Sequence, residues 1–211
     1  MSLPTLTIHG AGLTVTGSCV EFAFDGRRLL IDCGLFQGSR SLEALNREPF
    51  AFDPRQIDGV LVTHAHIDHG GLLPRLVAEG YDGPIWCTDA TLDLLGVMLT
   101  DAARIREQDV ERRNRRADRA DEPPVEPTYT ARDAELILEL VQTVELKKAF
   151  APCPGVEARF WDAGHILGAA SIELSAGGVR TILSSDLDPD NKSFHAPPVG
   201  PQGFESPYGD R

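Results

Sequence analysis

Thr63-His64-Ala65-His66-Ile67-Asp68-His69-Gly70-Gly71 follows directly on the apolar run Gly59-Val60-Leu61-Val62. The run reads as a short buried strand within residues 57–63. Three imidazoles and one carboxylate therefore fall within six positions, where a strand gives way to a loop. Neutral imidazole and carboxylate are the ligands that zinc takes in open, catalytic sites. A loop that was merely polar would crowd unpaired His and Asp side chains that repel one another or stay poorly solvated. The stretch is a metal site by this reading, placed where α/β folds commonly keep their sites.

Two later segments extend the donor set. Trp161-Asp162-Ala163-Gly164-His165-Ile166-Leu167-Gly168 puts a histidine in a glycine-flanked turn after a strand, and Ile182-Leu183-Ser184-Ser185-Asp186 puts a carboxylate at the end of another apolar run. Each alone is weak, since strand-end Asp residues usually cap turns and single histidines usually sit in ordinary surface or core positions. With the dense cluster they form two near-complete sets. His64, His66 and His165 can hold one ion, Asp68 and His69 a second, with Asp186 between them. Two ions about 3.5–4 Å apart can activate a water at neutral pH and steady both oxygens of a displacement. Asp32, at its own strand end, is a candidate to orient a histidine ligand, against an equally weighted reading as a loop-starting residue.

The remaining elements follow from periodicity and turn chemistry. Strands are expected at 5–9, 18–24 and 27–32, the last two joined by an Asp25-Gly26 hairpin turn. Asp32-Cys33-Gly34-Leu35-Phe36-Gln37-Gly38 reads as a loop whose glycines meet special backbone demands. Leu72, Leu73, Leu76 and Val77 share a helical face that ends at Gly80. After a short strand at 84–87, Thr88 or Asp89 caps a long helix with Leu92, Leu95, Leu99 and Ala102 on one side. That helix runs into 104–119, which holds seven Arg against four acidic residues. A solvated helix with i,i+4 charge pairs is favoured there over a phosphate-contacting face. The proline-rich 121–127 is extended, and Thr130-x-x-Asp133 is a capping box for a helix bearing Leu136, Ile137, Leu140 and Val141. Strands return near 156–162, 170–175 and 179–184. The order is that of an α/β fold with ligands at strand ends.

A chain of 211 residues with 42% hydrophobic and 25% charged residues has the make-up of an ordinary globular domain. Its net charge of −12 argues against nucleic-acid capture by the surface as a whole, while leaving room for a local basic groove. Cys19, Cys33, Cys87 and Cys153 show no C-x-x-C spacing and mostly lie beside apolar residues, as small hydrophobes do. The N-terminal residues carry neither a basic nor an apolar leader region, and no window reaches the length of a membrane span. A cytoplasmic protein is the expectation.

His-x-His-x-Asp-His, then Gly-His-x-Leu-Gly, then a strand-end Asp resembles the metallo-β-lactamase superfamily. Asp32-Cys33-Gly34-Leu35-Phe36-Gln37-Gly38, Asp162-Ala163-Gly164-His165-Ile166-Leu167-Gly168-Ala169 and Glu205-Ser206-Pro207-Tyr208-Gly209-Asp210-Arg211 are similar to its β-CASP branch, which contains RNA-cleaving enzymes. The resemblance covers nearly the whole chain. It implies an αββα four-layer sandwich with two zinc ions between the sheets, held by His64, His66, Asp68, His69, His165 and Asp186. It also implies roles in catalysis for Asp68 as base or orienting group, Asp32 as a supporting acid, and Glu205 as the acidic residue that opens the β-CASP region. Residues 1–211 would form the metallo-β-lactamase-like domain, truncated at the start of that region near 205–211. The last histidine ligand of the second ion, the histidine that assists the leaving group, the closing β-CASP domain and the C-terminal strands would lie outside the chain.

The sequence departs from the branch in places. Ser185 and Asp188 stand where glycines are usual, Pro207 replaces a Thr, and no apolar strand separates Gly203-Phe204 from Glu205. The function expected is cleavage of RNA phosphodiesters by a zinc-activated hydroxide. The alternatives are a catalytically incomplete remnant or binding module, and a small-molecule hydrolase for thioesters or lactams. An apolar edge left by absent strands would favour a homodimer.

Overall fold

Leu29, Leu30 and Ile31 alternate in direction along one strand, and so do Val60, Leu61 and Val62 and then Ile85, Trp86 and Cys87. Each strand is therefore buried on both faces, as parallel strands are. The computed structural model describes residues 2–118, 123–187 and 198–201. Strands β1 (Thr5–Gly10), β2 (Cys19–Phe24), β3 (Arg27–Ile31), β4 (Gly59–Leu61), β5 (Ile85–Cys87) and β6 (Val141–Thr143) form one six-stranded sheet in that order. Pairing is antiparallel from β1 to β3 and parallel from β3 to β6. Strands β7 (Ala149–Cys153), β8 (Val156–Asp162), β9 (Ala170–Ala176) and β10 (Val179–Leu183) form a four-stranded antiparallel sheet.

The two sheets face each other across Phe22, Leu29, Ile31, Leu61 and Trp86 from the first and Val156, Ala158, Phe160, Ile172 and Leu174 from the second. The other face of the larger sheet packs Leu30, Val60, Val62, Ile85 and Cys87 against helices. These are α3 (Leu73–Ala78), α4 (Asp89–Asp118) and α5 (Ala131–Leu140). Two short helices, α1 (Arg40–Leu45) and α2 (Ile67–Gly70), lie in the connecting loops. This is the expected α/β sandwich, with three of its layers represented among the described residues. Asp188 and the run from Gly203 to Arg211, with Glu205, lie outside them.

Local chemistry explains the agreement. Asp25 and Gly26 take φ of 49° and 78°, the left-handed pair that a two-residue hairpin turn needs. Thr130 and Asp133 form the reciprocal capping box, with Thr130 N donating to Asp133 Oδ2 at 2.7 Å and Asp133 N donating to Thr130 Oγ1 at 3.3 Å. All four cysteines are buried and free. In the arginine-rich stretch, Arg112 pairs with Asp109 and Arg115 with Glu111, the solvated pattern expected of a charged helix.

Some elements depart from the periodicity. Val141 does not continue helix α5, because pairing with Ile85 pulls it into β6. Strand β7 was obscured by Pro152, which a sheet tolerates at an edge, and β7 is an edge strand. Ile67–Gly70, read as loop, closes a helical turn within the histidine motif itself. No helix among the described residues is long and apolar enough to cross a membrane.

Candidate metal centre

The site forms where the carboxyl ends of strands from both sheets meet. Asp32 follows β3, Thr63 to His69 follow β4, His165 lies in the turn after β8, and Asp186 follows β10. Ala170 N donates to Thr63 O at 2.9 Å and stitches the two sheets together beside the histidines. The loop after β3 runs under the histidine motif. Ser18 N, Cys33 N and Leu35 N donate to the carbonyls of Asp68, His69 and Ile67 at 2.8, 2.8 and 3.0 Å. A Cβ on Gly34 would come within 1.7 Å of Asp68 O, so this position needs glycine for close approach. On the opposite side, Thr88 Oγ1 and Thr91 Oγ1 at the start of α4 donate to Gly168 O at 2.7 and 3.0 Å, anchoring the turn that carries His165.

Ligand atoms of His64, His66, His165 and Asp186 all lie within 4.8 Å of one another. His64 Nε2 and His165 Nε2 approach His66 Nδ1 at 3.0 and 3.2 Å. Nitrogens bound tetrahedrally to one zinc stand about 3.3 Å apart. With their protons on the opposite ring nitrogens, these three rings turn lone pairs toward one another, which a cation placed among them relieves. The donor set thus fits a divalent metal. Asp186 is half exposed and faces both halves of the site. Its Oδ2 is 3.9 Å from His64 Nε2 and 3.6 Å from His165 Nε2, and its Oδ1 is 3.6 Å from His69 Nε2.

His69 belongs to a second, adjoining arrangement. Its Nδ1 lies 2.8 Å from Asp32 Oδ2, and buried Asp32 also accepts from Thr63 N at 2.8 Å, Thr63 Oγ1 at 2.9 Å and Ser18 Oγ at 3.2 Å. Asp32 holds φ of 62°, a conformation that Asp tolerates better than most residues. Asp68 is half-buried in α2 and does not join the converging group. Thr63, overlooked in the sequence, is a hub whose Oγ1 also lies 3.0 Å from His64 Nδ1 and 3.3 Å from His69 Nδ1. The signal for it was its position, a hydroxyl residue between a buried strand and the first histidine of the motif.

Burial, reinforced by the neighbouring histidines, pushes His64 down to about 2, and burial together with His165 lowers His66. Both stay neutral, with lone pairs free for a metal. Burial would also lower His69, but the hydrogen bond and charge of Asp32, helped by Asp186 and Asp68, outweigh it and raise the value. These shifts act on stability in opposite directions. The lowered pair bind protons more readily in the unfolded chain, so their contribution is lost as pH falls below about 6.5. The contribution of His69 is present below that value and lost as pH rises through its raised folded value. Two against one, metal-free protein is expected to melt progressively lower from about pH 7 to about pH 5. A melting temperature that rises over this interval would show that His69 dominates.

The sequence profile of the Metallo-beta-lactamase superfamily matches residues 14–203. Ribonuclease TTHA0252 of Thermus thermophilus is 35% identical over 207 residues, covering 96% of this chain and 43% of that protein. Cleavage and polyadenylation specificity factor subunit 3-I of Arabidopsis thaliana is 32% identical over 184 residues, covering 86% of this chain and 24% of that protein. The chain thus spans less than half the length of these relatives. Among solved structures, the metallo-beta-lactamase fold protein YhfI of Bacillus subtilis superposes with a TM-score of 0.51 at 16% identity. The match covers 87% of this chain and 63% of that one, a likeness of fold alone.

Proposed function

The chain belongs to the metallo-beta-lactamase superfamily, and from that premise we propose that it is the metal-binding domain of a zinc-dependent hydrolase that cleaves RNA phosphodiesters. The observation that carries the reading is the convergence of His64, His66, His165 and Asp186 at the junction of the two sheets. Zinc held there by these residues would supply Lewis acidity and would acidify a water toward neutral pH. The protein's own part is to hold and aim. His64 and His66 offer neutral nitrogens, His165 approaches from the second sheet, and Asp186 reaches toward both His64 and His69. Asp68 and His69, with Asp186, are the proposed ligands for a second ion. Asp68, half-buried at the start of α2, is also the proposed base or orienting group. Asp32 holds His69 by its Nδ1 and leaves Nε2 turned toward Asp186. A part for Glu205, and a β-CASP region beginning near 205–211, stay within the proposal as carried by sequence resemblance.

RNA as substrate is supported by the relatives named for RNA cleavage and processing. It is also supported by a cavity of about 950 Å³ between α1 and α4 that shares Ile67 with the histidine motif. Arg40, Arg47, Arg106 and Arg113 line it, against Glu43, Asp109 and Glu126. One observation favours a second reading. Among the described residues a single donor cluster converges rather than two, which suits a domain that binds one ion without turning over substrate by itself.

Metal analysis of the purified protein combined with an RNase assay separates the two. The proposal expects bound zinc and RNA cleavage that disappears in Asp68→Ala and Asp186→Ala. Bound zinc with no cleavage of RNA or small esters would favour the binding-module reading for this chain.

A further inference from the structure

Ser185 sits immediately before Asp186 with φ of 57°. Left-handed backbone is uncommon for residues other than Gly, Asn and Asp, and a residue keeps it only when its surroundings impose it. The surroundings here are hydrogen bonds from the serine's own side chain. Its hydroxyl donates to Thr63 Oγ1 at 2.8 Å and lies 3.3 Å from His64 Nδ1.

Counting protons around Thr63 shows what the serine does. A hydroxyl has one proton and two lone pairs. Thr63 gives its proton to Asp32 Oδ2 at 2.9 Å and accepts the proton of Ser185 on one lone pair. The remaining lone pair can only accept, and His64 Nδ1 at 3.0 Å is nearer to it than His69 Nδ1 at 3.3 Å, whose shorter contact is Asp32 Oδ2 at 2.8 Å. The oxygen of Ser185, its proton already committed to Thr63, is likewise an acceptor toward His64 Nδ1. A histidine that ligates a metal does so as the neutral ring, and with two acceptor oxygens beside His64 Nδ1 its single proton is drawn there. Its Nε2 lone pair is then left facing His66, His165 and Asp186.

We propose that Ser185 is a positioning residue for the metal: its hydroxyl joins Thr63 as a second oxygen accepting from His64 Nδ1–H and steadies the ring so that Nε2 is presented as a ligand. The inference rests on the metal-site reading above. It assigns the departure from glycine at this position to the first ion's histidine as well as to the carboxylate that follows.

Ser185→Gly and Ser185→Ala test it together, because both remove the hydroxyl and they differ in how they tolerate positive φ. Zinc affinity by chelator competition, melting temperature of metal-free protein, and the His64 ring ¹⁵N shifts are measured for each. Both variants are expected to bind zinc at least about tenfold more weakly than the wild type. Both are expected to keep the Nδ1–H tautomer, held by Thr63, but with a shifted His64 Nδ1 resonance, although Ser185→Gly melts above Ser185→Ala. Affinity would then follow the hydroxyl and not the stability. Wild-type zinc affinity in Ser185→Ala, or an unchanged His64 Nδ1 resonance in both variants, would overturn the inference while leaving the metal site standing. Absence of zinc binding in the wild type would remove the metal reading and this inference with it.

Discussion

Asp32→Ala is expected to lower the unfolding free energy by about 3–5 kcal/mol, the cost of removing one partner from a buried charged network. Asp32 is 1% exposed and satisfies four donors, from Ser18, Thr63 and His69. Truncation strands the buried Thr63 N–H, frees the Thr63 hydroxyl to rotate, and removes the largest influence that raises His69. In a domain of this size the melting temperature should fall by about 10 °C. Asp32→Asn makes the sharper comparison. Its amide oxygen can still accept from Thr63 N, so most stability should return. Its NH₂, however, donates toward His69 Nδ1 and moves the ring proton of His69 to Nε2, the nitrogen that faces Asp186. The asparagine variant should therefore fold well and bind metal poorly. Thermal melts and zinc titration on the two variants check this, and a metal affinity in Asp32→Asn equal to the wild type would refute the role given to Asp32.

The second large effect is expected in His165→Ala. His165 comes from a turn outside the main core, so its loss should leave the fold of the metal-free protein nearly unchanged. It is one of the three imidazoles proposed to hold the first ion, and zinc affinity should fall about 100-fold or more, beyond the loss typical of supporting residues. Ligand-linked stabilisation falls in step. Zinc at about a hundred times its dissociation constant adds about 2.7 kcal/mol to the wild type, and the same concentration should add little to the variant. Calorimetric melts with and without zinc measure this, and equal zinc-induced shifts in the two proteins would place the ion elsewhere.

Much of the site was legible because its parts are local. Histidine spacing after a buried strand marked His64, His66 and His69, and glycine-flanked turns marked the His165 loop. What was not legible depends on contacts across the two sheets. Thr63 becomes a hub only when Asp32 from β3 and Ser185 after β10 are brought to it. Gly34 suggested an unusual backbone angle, but its requirement is the close passage of Asp68 O, which no local pattern encodes. The same holds for the fold. The Asp25-Gly26 hairpin and the Thr130 capping box are written in adjacent residues, whereas β6 is a strand only because β5 lies beside it. Three-residue strands carry too little periodicity to compete with a preceding helix. The arginine-rich half of α4 carries charge pairs that its spacing suggests, yet its cavity-facing arginines depend on where α1 settles.

The central claim is that the ion sits among imidazole and carboxylate ligands at the junction of the sheets. Zinc-edge X-ray absorption on the purified, zinc-loaded protein tests it most directly. A first shell of nitrogen and oxygen at about 2.0–2.2 Å is expected. No sulfur is expected, since all four cysteines are buried and burial raises the Cys87 and Cys153 thiols. A shell at about 2.3 Å that fits thiolate sulfur, or zinc that washes out equally from the wild type and His165→Ala, would contradict it.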